Sequence, residues 1–246
     1  MGMSKYRQHP RQPPRGRARR KSRREWTTYR PVALALSITS VGLGITFWQH
    51  DEAMGSGGAR SFSSRALARS VSLGPEGVPI PAAPALAGPG EPAVGGRVDG
   101  ISCGAIEQLA FHVHAHLTTF ISGRQRRVPA GVGIGAPRTV VPAPGGAFVV
   151  GGTCFSWLHT HAADGIIHIE SPVQRAFALG EFFDVWKRPL GRRRVGSTTG
   201  RVTAFLDGRP YHGNPRDIPL TRHAQIQLDV GRPAVAPVPV RFPQGL

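Results

Sequence analysis

The chain has 246 residues, with 32 Gly and 23 Pro, which excludes a single tightly packed core over its whole length and indicates one domain with long appendages. The formal net charge is +17, but residues 1–30 carry 11 of the 31 basic residues and only one acidic residue. Since most of the excess charge belongs to this tail, we expect no nucleic acid among the partners.

Residues 1–30 lack apolar periodicity and predict a disordered, basic, cytoplasmic tail. The uncharged run of seventeen residues Val32–Trp48 follows, and as a helix it would span roughly 25 Å. Positive charge before this run, with Asp51 and Glu52 after it, places the C-terminal part of the chain outside the cytoplasm. We therefore predict a single-pass signal-anchor helix in the cell membrane over residues 31–49.

Two other export routes fit the same N-terminus. A cleaved secretory signal would release the protein, although a small-residue cleavage site close behind Trp48 is hard to find. The sequence SRREW at Ser22–Trp26 also resembles the start of a twin-arginine signal. All three interpretations place the remainder of the chain outside the cytoplasm.

Residues 50–97 are rich in Gly, Pro, Ser and Ala and predict a disordered linker with no core of its own. From residue 98, short apolar runs alternate with turn signals, which indicates a β-rich domain over residues 98–235, followed by a C-terminal tail over residues 236–246. The expected fold is mainly β (β-rich α+β): a compact antiparallel sheet, a sandwich or a barrel-like domain with one short helix.

The first predicted strand is Phe111–Ile121 (FHVHAHLTTFI), and Arg127–Val132 is expected to pair back on it. Gly180–Trp186 is the predicted helix, with its aromatic residues on one side. The remaining predicted strands are Ala147–Val150, Phe155–His161, Ile166–Ile169, Val202–Leu206 and Ala224–Val230.

The two cysteines, Cys103 and Cys154, both lie in the part predicted to be exported, which suggests a disulfide. Closing this loop would stabilise the domain by roughly 4 kcal/mol in the chain-entropy model. Buried thiols and thiolate ligands are the alternatives.

Six of the ten histidines fall within 57 residues. Three of them, His112, His114 and His116, form H-V-H-A-H and share one face of a strand, because side chains alternate with a period of two. Adjacent members of this series lie roughly 6.6 Å apart at Cα, whereas the first and third lie roughly 13 Å apart. One ion can therefore use at most two of the three.

The second set comprises His159, His161, His168 and Glu170 around the turn signal Asp164–Gly165. With that pair as a two-residue loop, His161 lies opposite His168. His159 then lies opposite Glu170 on the same face. A four-residue loop shifts the register by two and keeps all four side chains on that face.

Three imidazoles and one carboxylate predict a transition-metal site, with Zn or Cu favoured and Fe or Ni also possible. A blue-copper site is disfavoured because Met1, Met3 and Met54 all lie outside the predicted domain. The H-x-H-x-H strand would add one or two ligands to this site or form a second one. A hydrogen-bonded histidine cluster without metal remains open, as do unrelated histidines.

Five segments, FHVHAHLTTF, VPAGVGIG, HTHAADGIIHIESP, LGEFFDVW and GNPRDIPL, together resemble an uncharacterised family of bacterial extracytoplasmic proteins. The resemblance covers roughly residues 98–235, and the HTHxxDGIIHIESP-type run is its most specific part. It implies an exported domain with the histidine motifs as its hallmark, and it implies no established activity.

The favoured function is a membrane-anchored metal-binding protein for metal acquisition, buffering or delivery. The alternatives are a metalloenzyme, either hydrolase or oxygenase, using the same His/Glu site, and a metal-free module that binds the cell envelope. The sequence has no G-x-S-x-G, P-loop or H-E-x-x-H motif, so the familiar hydrolase and nucleotide-binding mechanisms have no support.

Overall fold

The computed structural model describes residues 72–246. The predictions for the basic tail, the membrane helix over residues 31–49 and the start of the linker fall on residues outside this range. Within the described residues, no helix is both long and apolar enough to cross a membrane. This part of the chain is mainly β, with several sheets and one short α-helix, which confirms the predicted class.

Helix α1 covers Leu179–Val185, and a single 3₁₀ turn covers Pro215–Asp217. Fifteen strands, many of them short, account for the regular structure of the described residues. In chain order they are β1 (Arg97–Val98), β2 (Ile101–Gly104), β3 (Phe111–Ile121), β4 (Arg124–Arg126), β5 (Thr139–Ala143), β6 (Gly146–Gly151), β7 (Phe155–Ser156), β8 (Leu158–His159), β9 (Ile166–Ser171), β10 (Leu190–Gly191), β11 (Arg194–Val195), β12 (Thr198–Thr199), β13 (Val202–Leu206), β14 (Arg209–Tyr211) and β15 (Gln225–Val230).

The largest sheet has seven strands in the order β14-β13-β15-β3-β9-β8, with β4 paired to the end of β3. Strand β3 lies at its centre, antiparallel to β9 and parallel to β15. The sheet is therefore mixed, whereas an antiparallel sheet was one of the predicted arrangements. Parallel neighbours need a long crossover, and the residues between β3 and β15 provide it.

Side chains of strand β3 alternate between the two faces of the sheet, with apolar residues on one face and histidines on the other. Val113, Ala115 and Leu117 face an apolar core that also contains Ile167 and Ile169 of β9. The aromatic residues of the predicted helix belong to the same core and are fully buried: Phe182, Phe183 and Trp186. The histidines of β3 alternate with the core residues and so face the other side of the sheet.

The pairing of β4 with β3 starts earlier than predicted. Ser122 and Gly123 both have positive φ, +48° and +74°, and form a tight two-residue turn of the kind that joins adjacent strands. Pairing therefore begins at Arg124. The predicted strand Arg127–Val132 is wrong, although its residues Val128 and Val132 are buried in the core.

A disulfide joins Cys103 of β2 to Cys154, as predicted. Strand β2 also pairs with β7, bringing Cys103 opposite Ser156. The cross-link therefore anchors the start of the domain close to the segment that carries the second histidine set.

Residues 72–97 were predicted as linker, but the structure places them against the domain. Val78 is 1% exposed, and the indole Nε1 of Trp186 donates a hydrogen bond of 2.7 Å to the carbonyl oxygen of Gly88. Residues 236–246 also pack on the domain, where their backbone N–H groups donate to side chains of β15. Gly- and Pro-rich segments can pack in this way because their backbone groups find partners on the domain.

Candidate metal centre

The histidines converge from the neighbouring strands β3, β9 and β8. His114 of β3 lies opposite His168 of β9, and His112 lies opposite Glu170. On the other edge of β9, His159 of β8 also lies opposite His168. The two histidine motifs are therefore brought together by β9, which lies between them.

The register between β8 and β9 differs by two residues from the one expected for a two-residue loop. His159, and not His161, faces His168, which is the register of the four-residue loop. Of the pair Asp164–Gly165, only Gly165 has positive φ, whereas a type I′ turn needs positive φ at both. A shift of two preserves the face, so the same four side chains still meet.

Two groups of candidate ligand atoms result, each with its atoms within 4.8 Å of one another. All members of the first group are buried, so this His/Glu group could hold a metal ion. The first group is His159, His161, His168 and Glu170; the second is His112, His114 and His168. We call their five histidines the histidine cluster.

His159 and His161 each have one ring nitrogen that carries no proton. The Nδ1 of His159 donates to the carbonyl oxygen of Ser156 at 2.9 Å, and the Nδ1 of His161 donates to that of Val149 at 2.6 Å. Because a carbonyl only accepts, the proton of each neutral ring lies on Nδ1. The two Nε2 atoms, 3.1 Å apart, therefore direct their lone pairs into the centre.

These imidazoles stay neutral at physiological pH. Burial, reinforced by the neighbouring His168, holds the pKa of His159 well below its usual value. Burial and His168 also lower the pKa of His161. On the other side of β9, burial and the same neighbour lower the pKa of His114 to about 3. Neutral imidazole is the form that binds metal.

His168 has the opposite protonation. Its Nε2 lies 2.6 Å from Oε1 of Glu76, and its Nδ1 lies 3.2 Å from Oε1 of Glu170. Burial lowers the pKa of His168, but the hydrogen bonds to these two carboxylates outweigh it and raise the pKa to about 9. Without metal, His168 is therefore an imidazolium that donates from both nitrogens.

Glu170 is the side chain common to both sides of the centre. Its Oε1 lies 3.0 Å from Nε2 of His112 and 3.9 Å from Nε2 of His159. Its Oε2 is buried and has no hydrogen-bond partner among the described residues. An unpartnered buried carboxylate oxygen is costly, and a cation at this position would remove that cost.

Two further carboxylates, Glu76 and Glu107, belong to the centre and were missed from the sequence. Oε2 of Glu76 accepts from the backbone N–H of Ala162, which holds this carboxylate against His168. Oε1 of Glu107 lies 3.3 Å from Nε2 of His161. One sequence signal exists: each is the only Asp, Glu, Lys or Arg in its stretch, residues 70–90 and 100–123 respectively.

His116, predicted as a candidate ligand, lies outside both groups. Its Nε2 donates to the carbonyl oxygen of Asp164 at 2.8 Å, and its Nδ1 lies 3.3 Å from the hydroxyl of Thr118. Oδ1 of Asp164 accepts from the backbone N–H of Ile166, so Asp164 shapes the turn. The centre therefore uses two of the three H-x-H-x-H histidines.

A cavity of about 890 Å³ lies beside the turn. Among the described residues its lining includes His116, Asp164, several arginines and apolar side chains such as Val78 and Ile80, and no member of the histidine cluster. The centre reaches solvent elsewhere, at His112 and Glu107, whose side chains are 36% and 33% exposed. This cavity and the candidate metal centre are thus separate features.

Comparison with protein-family models, with curated proteins and with solved structures gives no match for the chain. The resemblance to a family of bacterial extracytoplasmic proteins therefore stays a prediction. What can be said of the chemistry follows from the buried His/Glu group itself.

Proposed function

We propose that this protein binds a divalent transition-metal ion, Zn²⁺ or Cu²⁺ first, through His159, His161, His168 and Glu170. The observation that carries the proposal is the pair of unprotonated Nε2 atoms 3.1 Å apart. Two facing lone pairs repel each other in a buried site, whereas a cation between imidazoles makes the same arrangement favourable.

The surroundings of these ligands favour tight binding over catalysis. The backbone carbonyls of Ser156 and Val149 fix the orientation of two rings, as outer partners do in known metal sites. The ligands of the first group are nearly inaccessible to solvent, and the 890 Å³ cavity is lined by none of them. We therefore place the protein in metal acquisition, buffering or delivery.

A metalloenzyme is the second candidate, and the exposure of His112 favours it. An ion near this solvent-facing edge would keep a coordination position for water or substrate, as hydrolases and oxygenases require. Water-proton relaxation of the Cu²⁺-loaded protein distinguishes the two. An exchangeable water ligand favours the enzyme, and its absence favours binding alone.

We also propose that the domain functions outside the cytoplasm, tethered by the helix expected over residues 31–49. The disulfide between Cys103 and Cys154 supports this location, since such bonds persist in oxidising compartments. Protease added to intact cells should degrade the domain and leave a short membrane-bound fragment. Protection of the domain until the cells are lysed would contradict the proposal.

The metal proposal is tested on the full chain, purified in detergent without an affinity His tag. Mass spectrometry should find near-stoichiometric metal in the wild-type protein. The variant His159→Ala/His161→Ala should lose the ion of the first group, whereas His212→Ala, an exposed histidine outside the cluster, should behave as wild type. A metal-free protein that also fails to take up Zn²⁺, Cu²⁺, Fe²⁺ or Ni²⁺ would refute both metal-dependent functions. The metal-free module that binds the cell envelope would then be the remaining hypothesis.

A further inference from the structure

We infer that the centre holds two metal ions, one on each side of β9, sharing the carboxylate of Glu170. The inference rests on the proposed function and extends it from one ion to two. The first ion belongs to the group with His159 and His161. The second belongs to His112 and His114, which no single-ion site accounts for.

The centre contains more donors than one ion can use. A buried zinc site is closed by four protein ligands. Here the five imidazoles of the histidine cluster are joined by three carboxylates, those of Glu76, Glu107 and Glu170. Each carboxylate lies within 3.5 Å of a cluster nitrogen, so none of the three is a remote surface charge.

The sheet divides the donors into two sets. His112 and His114 extend from β3, whereas His159 lies at the end of β8. Strand β9 runs between β3 and β8, and two strands separated by a third lie about 10 Å apart. The imidazoles of the two sets therefore approach β9 from opposite edges. Only residues of β9 can contribute to both sets.

Glu170 lies between the two sets of donors. Its Oε1 contacts His112 on one side at 3.0 Å and approaches His159 on the other at 3.9 Å. Its buried Oε2 has no partner within residues 72–246. A carboxylate whose two oxygens bind different ions satisfies both atoms, and in proteins such pairs of ions lie roughly 3.5–4 Å apart.

The ring nitrogens of the second set also converge. Nε2 of His114 lies 3.0 Å from Nε2 of His112 and 3.2 Å from Nδ1 of His168, so three ring nitrogens face one another. The three carboxylates of the centre would offset most of the charge of two divalent ions. Donor number, placement and charge thus all fit a pair of ions better than one.

The experiment uses the full chain in detergent, stripped of metal with a chelator and loaded with Cu²⁺. Mass spectrometry after gel filtration should find two Cu²⁺ per chain. Electron paramagnetic resonance should show far less than two spins, because ions sharing a ligand couple magnetically. In His112→Ala/His114→Ala the copper content should fall to one per chain, with the full signal of one spin.

The outcomes separate this inference from the proposed function. One Cu²⁺ per wild-type chain, with a normal signal, overturns the second ion and leaves the proposed function intact. No bound Cu²⁺ overturns both, and two uncoupled ions overturn the shared Glu170 carboxylate. If the double variant fails to fold, His112→Ala serves instead, since its side chain is 36% exposed and its loss should still release one ion. His212→Ala should retain two ions, which checks against surface binding.

Discussion

Metal binding should release a proton from His168. The number of protons released per chain at a given pH follows from the pKa of this side chain. Glu170 and Glu76, opposed by burial, raise the pKa of His168 to about 9, compared with about 6.5 for a free imidazole. At pH 8, roughly nine-tenths of the protein therefore carries this proton. A metal ligand must be deprotonated, so filling the centre should release about 0.9 protons per chain.

The same shift gives the pH dependence of the affinity. Metal competes with a proton whose pKa is about 9, so the association constant should rise about tenfold per pH unit between pH 7 and pH 9 and then level off. At pH 7, removing the proton from His168 weakens the free energy of metal binding by about 3 kcal/mol. His159, His161 and His114 contribute little here, because their lowered pKa values leave them neutral.

The measurement is isothermal titration calorimetry with Zn²⁺ at pH 8 in buffers of different ionisation enthalpy. Burial and the charge of Glu76 raise the pKa of Asp164 to about 7, so this carboxyl is mostly ionised at pH 8 and adds little. The variant Asp164→Asn should therefore release nearly the same number of protons at pH 8. Stoichiometric Zn²⁺ binding with no proton released at pH 8 would refute the assignment of His168 as a protonated ligand.

Three other variants test separate parts of the structure. Glu76→Gln should lower the pKa of His168, which imidazole NMR reports, and should reduce the protons released at pH 8. Cys103→Ser/Cys154→Ser should lower the free energy of unfolding in urea by about 4 kcal/mol; an unchanged midpoint would contradict a structural role for the disulfide. His116→Asn should leave the metal content measured by mass spectrometry unchanged, and a lost ion would place His116 among the ligands.

Period-two alternation made the convergence of these histidines predictable even where the local structure was not. The H-V-H-A-H strand, Phe111–Ile121, was predicted with its exact limits. The second set has the register of the four-residue loop, two residues from that of the two-residue loop. Its side chains meet in either case, because only an odd shift would turn a strand over. The face on which a residue lies was therefore a safer prediction than the residue it pairs with on the neighbouring strand.

The parallel pairing of β3 with β15 could not be predicted in the same way. Local patterns establish that a strand exists and which face it buries, but they carry no information on which distant strand becomes its neighbour. The crossover between Ile121 and Gln225 contains most of the domain. Only packing of the complete core decides that β15 completes the sheet beside β3.

Glu76 shows what would be needed to find the rest of the centre from sequence. It lies 92 residues before His168, in a Gly- and Pro-rich segment without hydrophobic periodicity, so motif spacing has no access to it. It is nevertheless the only charged residue of residues 70–90. A carboxylate that packs into an uncharged segment is stable only if it finds a cationic or donor partner, and His168 is that partner. Glu107 stands equally alone in residues 100–123, which makes an isolated acid in an uncharged stretch a usable signal for the carboxylates that join a histidine cluster.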